Sequence, residues 1–215
     1  MKQRRPSFII FDLGNVLVHI HPIAFLQSLS IDTPENRAYY HTSITDIVKR
    51  YERGDESTQD FFANLNVLFN SPGGRHHREH GGKKFFSEDE FHRAMLSIVG
   101  VPVDGMEEIV RRVSSSVPLG LLSNTNPIHF DYCLQNFHLL RYISSHFLSY
   151  KLNAFKPEPE IFARVIDQIP YAPGDVLYVD DLPENVEAAR AAGFVGHHFT
   201  GLANIQHHFS ELNLL

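Results

Sequence analysis

The stretch Phe8–Ile20, "FIIFDLGNVLVHI", decides how the rest of the chain is read. Its first four residues are apolar and partly β-branched, the pattern of a buried strand. Asp12 ends that run, and Gly14 follows close behind it. One reading makes Asp12 a turn former. The other makes it a reactive carboxylate held at the end of a strand.

Working outward, the pattern from Pro22 to about Gly100 is helical. "ENRAYYHTSITDIVKRYERG" and "STQDFFANLNVLF" carry apolar residues at helical spacing, with Phe61, Phe62, Leu65 and Leu68 as the apolar face. "SEDEFHRAMLSIVG" opens on Ser87 with Glu90 three residues on, a capping box. "SPGGRHHREHGGKK" between them is polar and glycine-rich and reads as a loop. Its His76, His77 and His80 invite a zinc reading, although no cysteine or paired ligand set accompanies them.

After Gly100 strands and helices alternate. "DGMEEIVRRVSS" is a helix, "PLGLLSNTN" a strand and "HFLSY" a short strand. "PEPEIFARVIDQI" is a helix, "DVLYVDD" a strand, "PENVEAARAAG" a helix closed by Gly193, and "FVGHHF" a final strand. Such alternation predicts an α/β fold with a doubly wound, Rossmann-like parallel sheet. Residues 1–20 and 101–215 form the expected core, and residues 21–100 the expected inserted helical cap, closing over a ligand. His197–His198 and His207–His208 read as surface pairs.

Ligands bind outside the carboxyl ends of the strands in open parallel sheets. Four such regions here are polar: Asp12, the run Ser123–Asn126, Lys156 in the loop before "PEPEIF", and Asp180–Asp181. Taken singly, Ser123 or Asn124 would serve as a helix cap, Lys156 as a solvated lysine, and the aspartate pair as caps. Together they supply three carboxylates, a hydroxyl, amides and an ammonium. Carboxylates alone would repel an anionic substrate, whereas carboxylates holding Mg²⁺ with a lysine opposite would attract one.

Those four motifs, in order, resemble the haloacid dehalogenase (HAD) superfamily over nearly the whole chain. "FDLGNVLV", "YERGD", "LLSNTN", "FKPEPEIF" and "VDDLPENVEAARAAG" more narrowly resemble the bacterial glucose-1-phosphate phosphatase branch. That branch is similar to the phosphatase domain of soluble epoxide hydrolases. The resemblance implies a Mg²⁺-dependent phosphatase acting on a small phosphorylated metabolite, a sugar phosphate by preference. Asp12 would attack phosphorus and form an aspartyl-phosphate. Asp12, the Gly14 carbonyl and Asp181 would hold Mg²⁺, with Asp180 near it and Asn185 further out. Ser123, the Asn124 backbone and Lys156 would bind the phosphoryl oxygens.

Gly14 departs from the superfamily pattern. Most of its phosphatases carry a second aspartate there, which protonates the leaving group. Proton transfer then falls to water, to the cap, or to His19 or His21. Alternatively, the leaving group is acidic enough to need little help, as an anomeric hydroxyl is. The same fold without activity would be a binding protein, and a metal-free variant a haloacid dehalogenase.

Composition bounds the partners. With 43% hydrophobic residues, the 215-residue chain can bury a core, and seventeen Phe and eight Tyr without Trp make it rich in benzene rings. A net charge of −6 suits no non-specific nucleic-acid binding. The single Cys133 permits no internal disulfide. No apolar run reaches membrane-span length, and the N-terminus lacks a signal-peptide pattern. A soluble, cytoplasmic protein is the expectation.

Overall fold

The structure, a computed structural model, describes residues 4–70 and 85–215. Its centre is a five-stranded parallel sheet. In chain order the strands are β1 (Phe8–Phe11), β4 (Leu119–Ser123), β5 (Ser145–Leu148), β6 (Val176–Asp180) and β7 (Val195–His198), lying side by side as β5-β4-β1-β6-β7. The first strand is thus central, and the order changes direction on either side of it. Two short strands, β2 (Val18–Ile20) and β3 (Val99–Pro102), form a separate antiparallel ribbon.

Strand side chains alternate between faces, so each sheet face builds its own core. Ile9, Phe11, Leu121 and Val179 pack with α5 (Met106–Ser114), α6 (Pro127–Asn136) and α10 (Leu202–Glu211). Phe8, Ile10, Leu122 and Tyr178 pack on the other face with α8 (Pro159–Ile166) and α9 (Pro183–Ala191). Helices on both faces of a parallel sheet make the doubly wound α/β architecture that the alternation predicts.

Between β2 and β3 the chain forms α1 (Ala24–Ser28), α2 (Pro34–Arg53), α3 (Thr58–Asn70) and α4 (Glu88–Ser97). These helices share a third apolar cluster, largely of rings, which includes Phe61, Phe62 and Leu65, with Leu68 packed beside it. Thr33 caps α2 through Asn36 N at 3.1 Å, and Ser87 and Glu90 form the expected capping box on α4. The polar stretch with His76, His77 and His80 falls within 71–84, outside the described residues.

Some local expectations need correction. The helix starting after Ser87 stops at Ser97, and the next residues form β3. The strand in "HFLSY" ends at Leu148, where the short helix α7 (Ser149–Leu152) begins. Helices α6 and α10 and the ribbon lie where no element was expected. His197 and His208 are not separate surface groups: their rings stack at 4.2 Å between β7 and α10. Burial pushes the His197 pKa down to about 4.

Phe69 of α3 sits amid Tyr40, Phe25, Phe86 and Phe91, with ring centroids 4.6–6.1 Å away. Truncating a fully buried phenylalanine removes its transfer energy and leaves a cavity. Phe69→Ala should lower unfolding stability by about 3–5 kcal/mol in a urea titration. A loss below about 1 kcal/mol would mean that the cluster contributes little.

Candidate active site

Sheet register brings distant residues to one place. Phe11 pairs with Leu121 on one side and Val179 on the other. One step further along the same strand, Asp12 lies level with Asp180, and the Asp12 backbone N–H donates to the Val179 carbonyl at 2.8 Å. Ser123 ends the neighbouring strand.

Lys156 joins the strand ends. Its ammonium donates to Asp12 Oδ1 at 2.8 Å, Asp180 Oδ2 at 2.7 Å and the Leu122 carbonyl at 3.1 Å. An ammonium has three protons, and all three are engaged. Asn124 fixes the lysine's loop: its Oδ1 accepts from Lys156 N at 2.8 Å and its Nδ2 donates to Lys156 O at 3.0 Å.

Asp180 is completely buried. Besides Lys156 it accepts from the Tyr178 hydroxyl, from Leu182 N at 2.9 Å and from Asn185 Nδ2 at 3.0 Å. These donors hold its pKa below the ordinary value against the opposing effect of burial. For Asp12 burial dominates and raises the pKa to about 7, although Lys156 opposes it. Asp181 is half-buried, and burial followed by repulsion from Asp180 raises its pKa.

Oxygens of Asp12, Asp180 and Asp181 lie within 4.8 Å of one another. Three carboxylates face one ammonium, so the cluster has an excess of negative charge and only hard oxygen donors. That donor set fits Mg²⁺. Asp180 is already surrounded by donors, whereas Asp12 and Asp181 have fewer partners. Asn15, at a φ of 52°, donates to Asp181 Oδ2 at 3.3 Å and accepts from Ile20 N at 3.2 Å. It steadies Asp181, a part that sequence reading did not give it.

A pocket of about 360 Å³ opens beside Gly14 and Ser123, between the sheet end and the helical block. Its walls are mainly apolar and include Leu13, Ile20, Phe25, Val48, Met95 and Phe155. Thr45, Lys49, Glu52, Asn124, His129 and Cys133 are the polar or titratable side chains in the lining beside Ser123 and Thr125. His19 and His21 are not in it. They lie on either side of Ile20, and a Cβ built on Gly100 would meet His21 Nε2 at 2.8 Å, which places that ring against the ribbon.

Glu52, near the C-terminal end of α2, was not expected. Its Oε1 accepts from Asn126 Nδ2 at 3.4 Å. His129 donates from Nε2 to the Met95 carbonyl at 2.9 Å, so its Nδ1 is left to accept from Asn126 Nδ2 at 3.0 Å. Burial pushes His129 down to about 4, so this ring is neutral near pH 7. The Ser149 hydroxyl accepts from Thr125 N at 2.9 Å and donates to the Glu52 carbonyl. The only sequence cue to Glu52 is its place in "YERGD".

The haloacid dehalogenase-like hydrolase model matches residues 7–193, and the chain belongs to that family. A D-ribitol-5-phosphate phosphatase from Bacteroides thetaiotaomicron is 29% identical over 196 residues, covering 86% of this chain and 88% of the relative. A sesquiterpene phosphatase from Aspergillus oryzae is 25% identical over 195 residues, covering 89% and 88%. A HAD family enzyme from B. thetaiotaomicron, solved in complex with magnesium and inorganic phosphate, has a TM-score of 0.73 at 22% identity and covers 95% and 99%. These matches define the family and do not single out the glucose-1-phosphate phosphatase branch. Among the described residues no helix is long and apolar enough to cross a membrane.

Burial raises the Glu52 pKa from 4.5 to about 7. The folded protein therefore binds this proton more tightly than the unfolded chain does. The resulting stability is fully present below about pH 4.5 and is lost as pH rises toward 7. Glu52→Gln should reduce the decline in urea midpoint over that window, leaving the share that the raised Asp12 contributes with the same sign. A wild-type decline that persists unchanged in the variant would place its origin elsewhere.

Proposed function

We propose that this protein is a Mg²⁺-dependent phosphatase that hydrolyses a small phosphorylated metabolite through an aspartyl-phosphate. The observation that carries the reading is the meeting of Asp12, Asp180, Asp181 and Lys156 at the carboxyl end of the sheet, next to a pocket whose lining includes the adjoining Leu13, Gly14, Ser123 and Asn124. Phosphoryl transfer needs chiefly positioning and charge stabilisation, and this cluster supplies both.

Asp12 is the nucleophile, the one reactive carboxylate at the end of the central strand. Lys156 holds Asp12 in place and shares its positive charge with the incoming phosphoryl group. Ser123 and the backbone at Asn124 receive the phosphoryl oxygens, with the Asn124 side chain also fixing the lysine's loop. Asp12, Asp181 and the Gly14 carbonyl hold Mg²⁺, and Asp180 and Asn185 stand behind them. The ion, when bound, neutralises the carboxylates and draws the phosphate in. Residues 21–100 act as the cap, and the substrate's leaving group occupies the pocket beneath it.

The walls favour a leaving group with an apolar body. A sugar phosphate is the second reading, supported by Thr45, Lys49, Glu52 and Asn124, which can hydrogen-bond hydroxyls at the pocket. The relatives acting on ribitol 5-phosphate and on a sesquiterpene phosphate are consistent with either body. An inactive binding protein would lack turnover altogether, and a haloacid dehalogenase would release chloride without a metal.

A panel of phosphomonoesters with and without Mg²⁺ tests the reading. Wild type should release phosphate only with the metal, and Asp12→Asn should fall to background while its melting temperature is retained. Asp181→Ala should weaken Mg²⁺ binding in calorimetry at least tenfold. An active Asp12→Asn protein, or unchanged Mg²⁺ affinity in Asp181→Ala, would break the respective assignment.

A further inference from the structure

Gly14 supplies no acid beside Asp12, and the pocket it lines holds a carboxyl from elsewhere in the chain. A Cβ built on Gly14 would meet only the Ile20 side chain at 3.3 Å and Asp12 Oδ2 at 3.9 Å. The space above Gly14 is therefore open pocket, with Ser123 and Asn124 on the sheet side. Glu52 lines the same pocket from α2. Across this lining the charged or titratable side chains beside it are Lys49 on its own helix and His129 and Cys133 on α6, the thiol pushed up to about 12 by burial. His129 donates to Met95 and accepts from Asn126, so both its nitrogens are committed. Lys49 lies over the Phe155 ring at 5.6 Å and is an ammonium.

Building on the phosphatase reading, we propose that Glu52 is the general acid and base of this enzyme, delivered from the helical block to the gap that Gly14 leaves. In the first step an Asp12 oxygen forms a bond to phosphorus as the bond from phosphorus to the leaving oxygen breaks. That oxygen takes the Glu52 proton, giving the aspartyl-phosphate, a free alcohol and the Glu52 carboxylate. In the second step Glu52 takes a proton from water as the water oxygen bonds to phosphorus. The bond to Asp12 breaks, releasing phosphate and restoring the Asp12 carboxylate and the Glu52 acid. The carboxyl's environment suits both halves: burial in the apolar pocket keeps it protonated to near neutral pH, where a group can both give and take a proton. The neutral His129–Asn126 pair anchors Oε1 without adding charge. Ser149 ties the Glu52 backbone to Thr125, next to the phosphate-binding residues.

The test compares an aryl phosphate, whose phenol departs unaided, with an alkyl phosphate of similar size. Wild type with Mg²⁺ should turn over both. Glu52→Gln keeps the acceptor for Asn126 and should lose on the order of a hundredfold or more in kcat on the alkyl ester, and far less on the aryl ester. The basic limb of its alkyl-ester pH profile, where the Glu52 acid is lost, should shift or vanish. Adding Gly14→Asp to Glu52→Gln should recover part of the alkyl-ester rate, because Gly14 has no positive φ to strain and only Ile20 must give way. Equal losses on both esters, or none, would overturn the assignment of Glu52 alone. Absence of Mg²⁺-dependent turnover by wild type on either ester would sink the phosphatase reading and this inference with it.

Discussion

A buried ammonium between two buried carboxylates governs the architecture of this site. Lys156, Asp12 and Asp180 come from three separate segments, and each would be costly to bury alone. Their mutual contacts make burial tolerable only if β1 and β6 are neighbours in the observed register. The loop carrying Lys156 must also return over the same edge. Asn124, Tyr178, Leu182 and Asn185 complete the arrangement by satisfying the remaining donors and acceptors. Fold and chemistry are therefore not separable here: the sheet order that builds the two cores is the order that closes the ion triad.

The third carboxylate, Asp181, lies outside that balance. It is half-buried, repelled by Asp180 and steadied by one long bond from Asn15. Two carboxylates on one ammonium, with a third carboxylate beside them, leave an excess of negative charge that suits a cation. Above it the surroundings change abruptly from charged to apolar, across Leu13 and Gly14 on one side and Val48 and Phe155 on the other. Charged strand ends and mostly apolar pocket walls thus lie side by side.

Much of this was legible in the chain because strand ends are local events. An apolar run that stops at Asp12, Ser123 or Asp180 announces both a strand and its polar terminus. Lys156 was legible through its proline-rich neighbours. What was not legible depends on pairings remote in sequence. Asn15 reaches Asp181 across 166 positions, and Glu52 meets Asn126 across 74. No periodicity records such contacts. Helix α6 escaped for a different reason: its buried residues are His129, Phe130 and Cys133, a face with little apolar contrast. The ribbon strands are too short to show alternation. "YERGD" was visible as a motif, but nothing in it tells that its glutamate lines the same pocket as Gly14.

The end of α2 is fastened to the core at several points. Ser149 bonds the Glu52 carbonyl, Arg53 pairs with Glu158 at 2.8 Å, and Asn153 donates to the Gly54 carbonyl at 3.3 Å. A Cβ at Gly54 would lie 2.3 Å from the Tyr150 carbonyl, so the chain passes there with no room to spare. A helical block hinged at the ribbon and riveted at this second point cannot swing as a whole like a door. Any opening would have to leave these fastenings, and the bond from His129 to Met95 on α4, in place. Glu52 sits beside these fastenings, so a proton delivered from it would come from the part of the helical block most firmly held to the core.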